Sequence, residues 1–165
     1  MSGGILIDIA TDEVLASGLS MPHSPRWHNG AWWLVQAGTG ELGYIDSGRF
    51  VAVARIDGFA RGMTIANGVA LVGGSGSRWD ELVEGLPLAD RLRSTLQRPA
   101  SGVFAFDLTS GRRIGEFRLD GTAREVSDVI ALPATTSVEL SGPRGLAAQD
   151  WTTYPTDFDP SSAQP

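Results

Sequence analysis

Few side chains in this sequence can do acid–base or anion chemistry from a fixed position. There are two histidines and no cysteine. His23 sits between two prolines in Met21-Pro22-His23-Ser24-Pro25. An imidazole held there can serve as a general acid or base near neutral pH, or can simply hydrogen-bond a neighbouring turn. Glu41 ends the glycine-rich run Ala37-Gly38-Thr39-Gly40-Glu41. It can orient His23, act as a base, or cap turn amides. Arg26, Arg61 and Arg124 carry guanidinium forks that match carboxylate or phosphate oxygens in pairs. Arg61 can equally bridge to Glu41 or to a channel-lining Asp. Trp79, in a segment that interrupts the strand rhythm, is the tryptophan placed for ligand stacking or a partner contact.

Three kinds of function stay open on these residues. The first is a binding module in which Arg26, Arg61, Arg124 and His23 hold a small anionic group. The second is an enzyme, a hydrolase or lyase, with His23 as acid or base, Glu41 orienting it and Arg61 stabilising developing negative charge. The third is a structural unit that completes itself by oligomerising, or a fragment without activity of its own. No nucleophile–base pair can be read from spacing, and Gly38-Thr39-Gly40 has no helix behind it to make a phosphate loop.

Composition narrows the field. Without cysteine there are no disulfides or thiolate metal sites, and two histidines argue against a multi-histidine centre. Neither a metal nor a cofactor is therefore expected. All 13 basic residues are arginine, and the net charge is −6. With no basic run, a nucleic-acid surface is not expected. No stretch reaches the roughly 18 apolar residues of a membrane span. Met1-Ser2-Gly3-Gly4 lacks the basic and apolar regions of a signal peptide, which makes a cytoplasmic setting the expectation. The 21 glycines and nine prolines favour short strands and tight turns over a helical bundle.

An internal repeat organises the chain. Arg26-Trp27-His28-Asn29-Gly30-Ala31-Trp32-Trp33-Leu34-Val35 reads as strand, Asn-Gly turn, strand, and Thr64-Ile65-Ala66-Asn67-Gly68-Val69-Ala70-Leu71-Val72 repeats the plan. The two turns are 38 residues apart, from 29 to 67. A second hairpin follows each: residues 42–58, and residues 102–121 with the same closing Asp-Gly. A third copy of that second hairpin opens the chain at 4–18. Four short strands per unit of about 40 residues are the signature of propeller blades.

The layout predicts an all-β, partial β-propeller of about two and a half to three four-stranded antiparallel blades. Residues 4–19 form half a blade, 22–57 a complete one and 59–120 a second, enlarged by an insertion at 76–100 with a short helix near 87–97. Residues 123–133 read as the first strand of a further blade. The propeller domain spans 1–133, and 134–165, rich in Pro, Ser, Thr and Gly, read as a disordered tail. A small β-sandwich or barrel with an accidental repeat is the alternative. Alternate connections fall on alternate faces of a propeller, which sends His23, Glu41, Arg61, Arg124 and the insertion to one face near the channel mouth. The Asn-Gly turns go to the other face.

The string Ser17-Gly18-Leu19-Ser20-Met21-Pro22-His23-Ser24-Pro25-Arg26-Trp27-His28 resembles the signature of an uncharacterised propeller-like bacterial family, domain of unknown function 4915. Gly38-Thr39-Gly40-Glu41-Leu42-Gly43, Gly58-Phe59-Ala60-Arg61-Gly62, Gly85-Leu86-Pro87-Leu88 and Ser127-Asp128-Val129-Ile130-Ala131-Leu132-Pro133 continue the resemblance in the same order, over residues 3–133. The family implies a propeller and no reaction. Its members carry further blades ahead of the segment matched here. The resemblance therefore implies a ring completed by missing N-terminal blades or by a homo-oligomer.

Overall fold

The computed structural model describes residues 2–76, 84–119 and 124–132. Trp79, the whole 134–165 tail and part of the 76–100 insertion lie outside the described residues. Ten strands and one helix run in the order β1 (Gly4–Asp8), β2 (Glu13–Leu19), β3 (Pro22–His28), β4 (Ala31–Gln36), β5 (Glu41–Asp46), β6 (Arg49–Arg55), β7 (Phe59–Ala66), β8 (Val69–Ser75), α1 (Pro87–Ser94), β9 (Gly102–Asp107) and β10 (Arg113–Arg118). The fold is all-β, as the repeat predicts. The strands form a hairpin, β1-β2, and two four-stranded antiparallel sheets, β3-β4-β5-β6 and β7-β8-β9-β10.

Turn chemistry explains the hairpins. Asn29 and Gly30 have φ of 48° and 80°, and Asn67 and Gly68 have 50° and 76°. Two successive positive φ values make the turn whose twist matches that of the flanking strands, and only Gly and Asn adopt it cheaply.

The pleat decides which faces are buried. In the first sheet Trp33, Val35, Leu42 and Ala54 point to one side and join Met63, Ala70, Val72, Phe104 and Phe106 of the second sheet in one core. Trp33 and its cross-strand partner Tyr44 stack with ring centroids 5.2 Å apart. Leu34 points to the other side, where it meets Ala16 and Leu19 of the hairpin, with Leu6, Ile45 and Phe50 around them. The first sheet is thus covered on both faces.

Helix α1 is docked by one arginine. Arg91 donates through Nη1 to the Thr39 carbonyl at 2.7 Å and through Nη2 to the Ile56 carbonyl at 3.0 Å, with Nε 3.6 Å from Asp57. The amide of Leu88 adds a bond to the Gly38 carbonyl at 3.0 Å. Leu86, Leu88, Ala89 and Leu92 are buried beneath the helix.

Two expected boundaries move. The propeller reading places Met21-Pro22-His23-Ser24 in the connection between blades, yet Pro22, His23 and Ser24 belong to β3. The strand absorbs them by a bulge between His23 and Arg26, with Ser24 at φ 50°. Both prolines fall on an edge strand, where a missing donor harms least. Residues 124–132 make no strand ladder. Instead, the Ser75 hydroxyl bonds both the Val126 amide (3.0 Å) and carbonyl (3.3 Å), and the Arg124 carbonyl accepts from the Gly76 amide and the Ser101 hydroxyl. Side-chain hydroxyls thus take the place of a partner strand. Gly62 permits the close approach, because a Cβ there would run into the Asp128 backbone.

Candidate functional site

The inner strands β3 and β7 lie side by side, and the 124–130 segment passes against β7 and β8. Their polar side chains form one row. The β3 bulge turns Ser24 so that its hydroxyl donates to the Arg61 carbonyl at 2.9 Å. His23 is brought close enough to Arg61 to feel its charge. Arg61 is ion-paired with Glu125, and both side chains are mostly buried, with 33% and 21% of their surface exposed. Arg26 faces Asp128 at 3.9 Å.

Of the six residues singled out in the sequence, His23, Arg26 and Arg61 do converge. Arg124 contributes its backbone carbonyl to the anchoring of its segment. Trp79 lies outside the described residues. Glu41 goes elsewhere. It is the first residue of β5, and its carboxylate is held by its cross-strand partner Arg55 at 2.8 and 2.9 Å. Pro22, Gln36, Glu41 and Arg55 are successive partners across the first sheet, and His23, Val35, Leu42 and Ala54 are the next set. Adjacent sets project from opposite faces, so His23 and Glu41 point away from each other across the sheet.

Sequence reasoning missed three participants. Glu125 and Asp128 provide the carboxylates that face Arg61 and Arg26, and Arg91 provides the helix clamp. Glu125 follows Arg124 in a segment flagged as extended, which was the available signal. Arg91 gave none, because its targets are backbone carbonyls of two distant loops. Two buried hydroxyls near that clamp, of Ser20 and Thr39, have no hydrogen-bond partner among the described residues.

Burial, and then the Arg61 guanidinium, push the His23 pKa below the ordinary imidazole value. The unfolded chain, with His23 at about 6.5, therefore binds this proton more readily than the folded one. The stability that this group contributes is complete above about pH 6.5. It is lost as pH falls from there through the folded-state pKa. With only two histidines, an NMR titration can follow His23 directly. Its midpoint should lie below 6.5 in the native chain and move up in Arg61→Met. A native midpoint at or above 6.5 would rule out this placement.

Among the described residues no cluster of three or more potential metal ligands forms, and no helix is long and apolar enough to cross a membrane.

Comparison with solved structures finds a computationally designed protein, Ika4, at 13% identity, covering 81% of this chain and 69% of that one with a TM-score of 0.46. No curated protein matches the chain. The family described as Domain of unknown function (DUF4915) matches residues 1–140. Its model covers most of the 165 residues, and the chain therefore belongs to this family of proteins without an assigned reaction.

Proposed function

We propose that the chain is a three-blade segment of a β-propeller and that two copies join end to end into one ring, a scaffold for binding rather than a self-contained catalyst. One observation carries this reading: both ends of the stack of sheets present apolar surface. On the hairpin, Ile5, Ile7 and Val14 are exposed on the face turned away from the first sheet. On the second sheet, Phe117 is 65% exposed, on the face shared with Val103 and Leu71 and turned away from the common core. Bare apolar ends of this kind mark an association surface, and head-to-tail joining by a rotation that closes makes a ring.

The strand count favours two copies. The hairpin occupies the place of the third and fourth strands of a blade, and the 124–130 segment lies beside β7 in the place of the first strand of another. Joined across a junction, they furnish three of the four strands of a shared blade. Two complete blades and one shared blade per copy make six in all, within the range of four to eight that propellers adopt. The row of His23, Arg26, Arg61, Glu125 and Asp128 would then line the channel. Its arginines already face carboxylates, so an anionic ligand there would have to compete with Glu125 for Arg61.

The test is a mixing experiment read by light scattering. Ile7→Glu and Phe117→Glu should each be monomeric, because each spoils one end of every copy. An equimolar mixture should regain dimers, because one of its two junctions then joins two intact ends. A dimer that persists in either single variant would mean that like ends pair with like, since each variant keeps one end intact in both copies, and would overturn the head-to-tail ring. So would a mixture that stays monomeric while the native chain is dimeric.

A further inference from the structure

A second site lies away from the channel row, on the face of β10 opposite to Phe117. A half-open cleft of about 310 Å³ lies against the outer strands of the second sheet, on the side turned towards the first. Three arginines line it: Arg98, Arg113 and Arg118. Gln97 stands beside them, and Asp57 is the one carboxylate in the lining. In a chain of net charge −6 this is a local reversal of sign.

The backbone on both sides of Arg98 is fixed by hydrogen bonds. Helix α1 ends with the Leu96 amide bonded to the Arg93 carbonyl at 3.2 Å and the Gln97 amide to the Leu92 carbonyl at 3.0 Å. This is the paired termination that places its turning residue in the left-handed region, a position usually taken by glycine. Here it is Leu96, at φ 54°. Two residues beyond Arg98, the Ala100 amide is bonded to the Asp57 carbonyl at 2.5 Å. Arg98 is therefore displayed between two pinned points. It makes no ion pair or hydrogen bond with any other described residue. Across the cleft, Arg113 and Arg118 both approach Glu116, at 3.0 and 2.8 Å. Glu116 is the cross-strand partner of Phe104, whose ring lines the cleft. The carboxylate orders both guanidinium groups, and Asp57 is drawn towards Arg91 at 3.6 Å.

From this arrangement we infer that the cleft binds a small, multiply charged anion whose carboxylate or phosphate oxygens accept hydrogen bonds from Arg98 and Arg113. The volume is at the low end of ligand sites, which run from roughly 300 to 1,000 Å³. That size suits a compact organic acid or a phosphorylated metabolite rather than a polymer. Arg98 can donate in pairs to planar anions without having to leave a partner among the described residues, which removes one cost of binding.

Titration calorimetry with citrate and with inorganic phosphate, each at low ionic strength, tests the site. Saturable binding of at least one anion is expected, and which one binds decides between a carboxylate and a phosphate ligand. Arg98→Ala and Arg113→Ala should each weaken it by about tenfold or more, as loss of a charged hydrogen bond does. Arg49→Ala, an exposed arginine at the β5-β6 turn, should leave it unchanged. The melting temperature of each variant without anion checks that the fold is intact. Failure of both anions to bind saturably, or equal affinity in Arg98→Ala, would overturn the inference. Neither result bears on the ring, whose junctions use the hairpin and the opposite face of β10.

Discussion

Phe104→Ala should lower the folding free energy by about 3–5 kcal/mol, the loss seen when a buried aromatic ring is cut to a methyl. Phe104 is 1% exposed and belongs to the core that the two four-stranded sheets build together. Its removal leaves a cavity in the core to which the first sheet contributes Trp33, Val35 and Leu42 and the second Met63 and Val72, on strands that cannot close a gap without shifting a whole sheet. Proteins of this size have only about 5–15 kcal/mol of stability, so the variant should unfold at a far lower urea concentration. Ile9→Ala, at a residue 94% exposed, should change stability by no more than about 0.5 kcal/mol. Similar small losses at both positions would mean that the two sheets do not share a core.

Gly62→Val should detach the 124–130 segment while leaving the sheets folded. The added Cβ would run into the Asp128 backbone, with the Val129 amide 2.7 Å away, and backbone cannot step aside as a flexible side chain can. Overpacking of this kind costs about 1–3 kcal/mol. The segment is held by a few side-chain hydrogen bonds, the Gly76–Arg124 backbone bond and the Arg61–Glu125 pair, with no ladder to resist the strain. It should give way first. Trypsin cleavage after Arg124 should accelerate in the variant, and the Val126 amide should lose its protection from hydrogen exchange. Unchanged cleavage and exchange would show that the segment does not sit on Gly62.

The strand plan was legible because it is written in local chemistry. Asn29-Gly30 and Asn67-Gly68 fix two hairpins, whereas the run Ala31-Trp32-Trp33-Leu34-Val35 does not mark an inner face, because the sheet it belongs to is covered on both sides. The site was legible only in part. His23 and Arg61 could be aligned because they stand at equal distances from their Asn-Gly turns. Glu41 could not be assigned to a face, since a one-residue change in where β5 begins turns every side chain to the other side of the sheet. The Ser24 bulge, the Arg91 clamp and the left-handed Leu96 depend on carbonyls and backbone brought near by tertiary packing. No sequence spacing encodes them.

The solution mass of the native chain, measured by light scattering on the eluting peak, tests the end-to-end ring most directly. The ring predicts a single species at twice the 17.5 kDa of one chain, stable on dilution through the micromolar range. A monodisperse monomer at all concentrations would contradict it, and would mean that the apolar ends formed by Ile7, Val14 and Phe117 do not join copies of this chain.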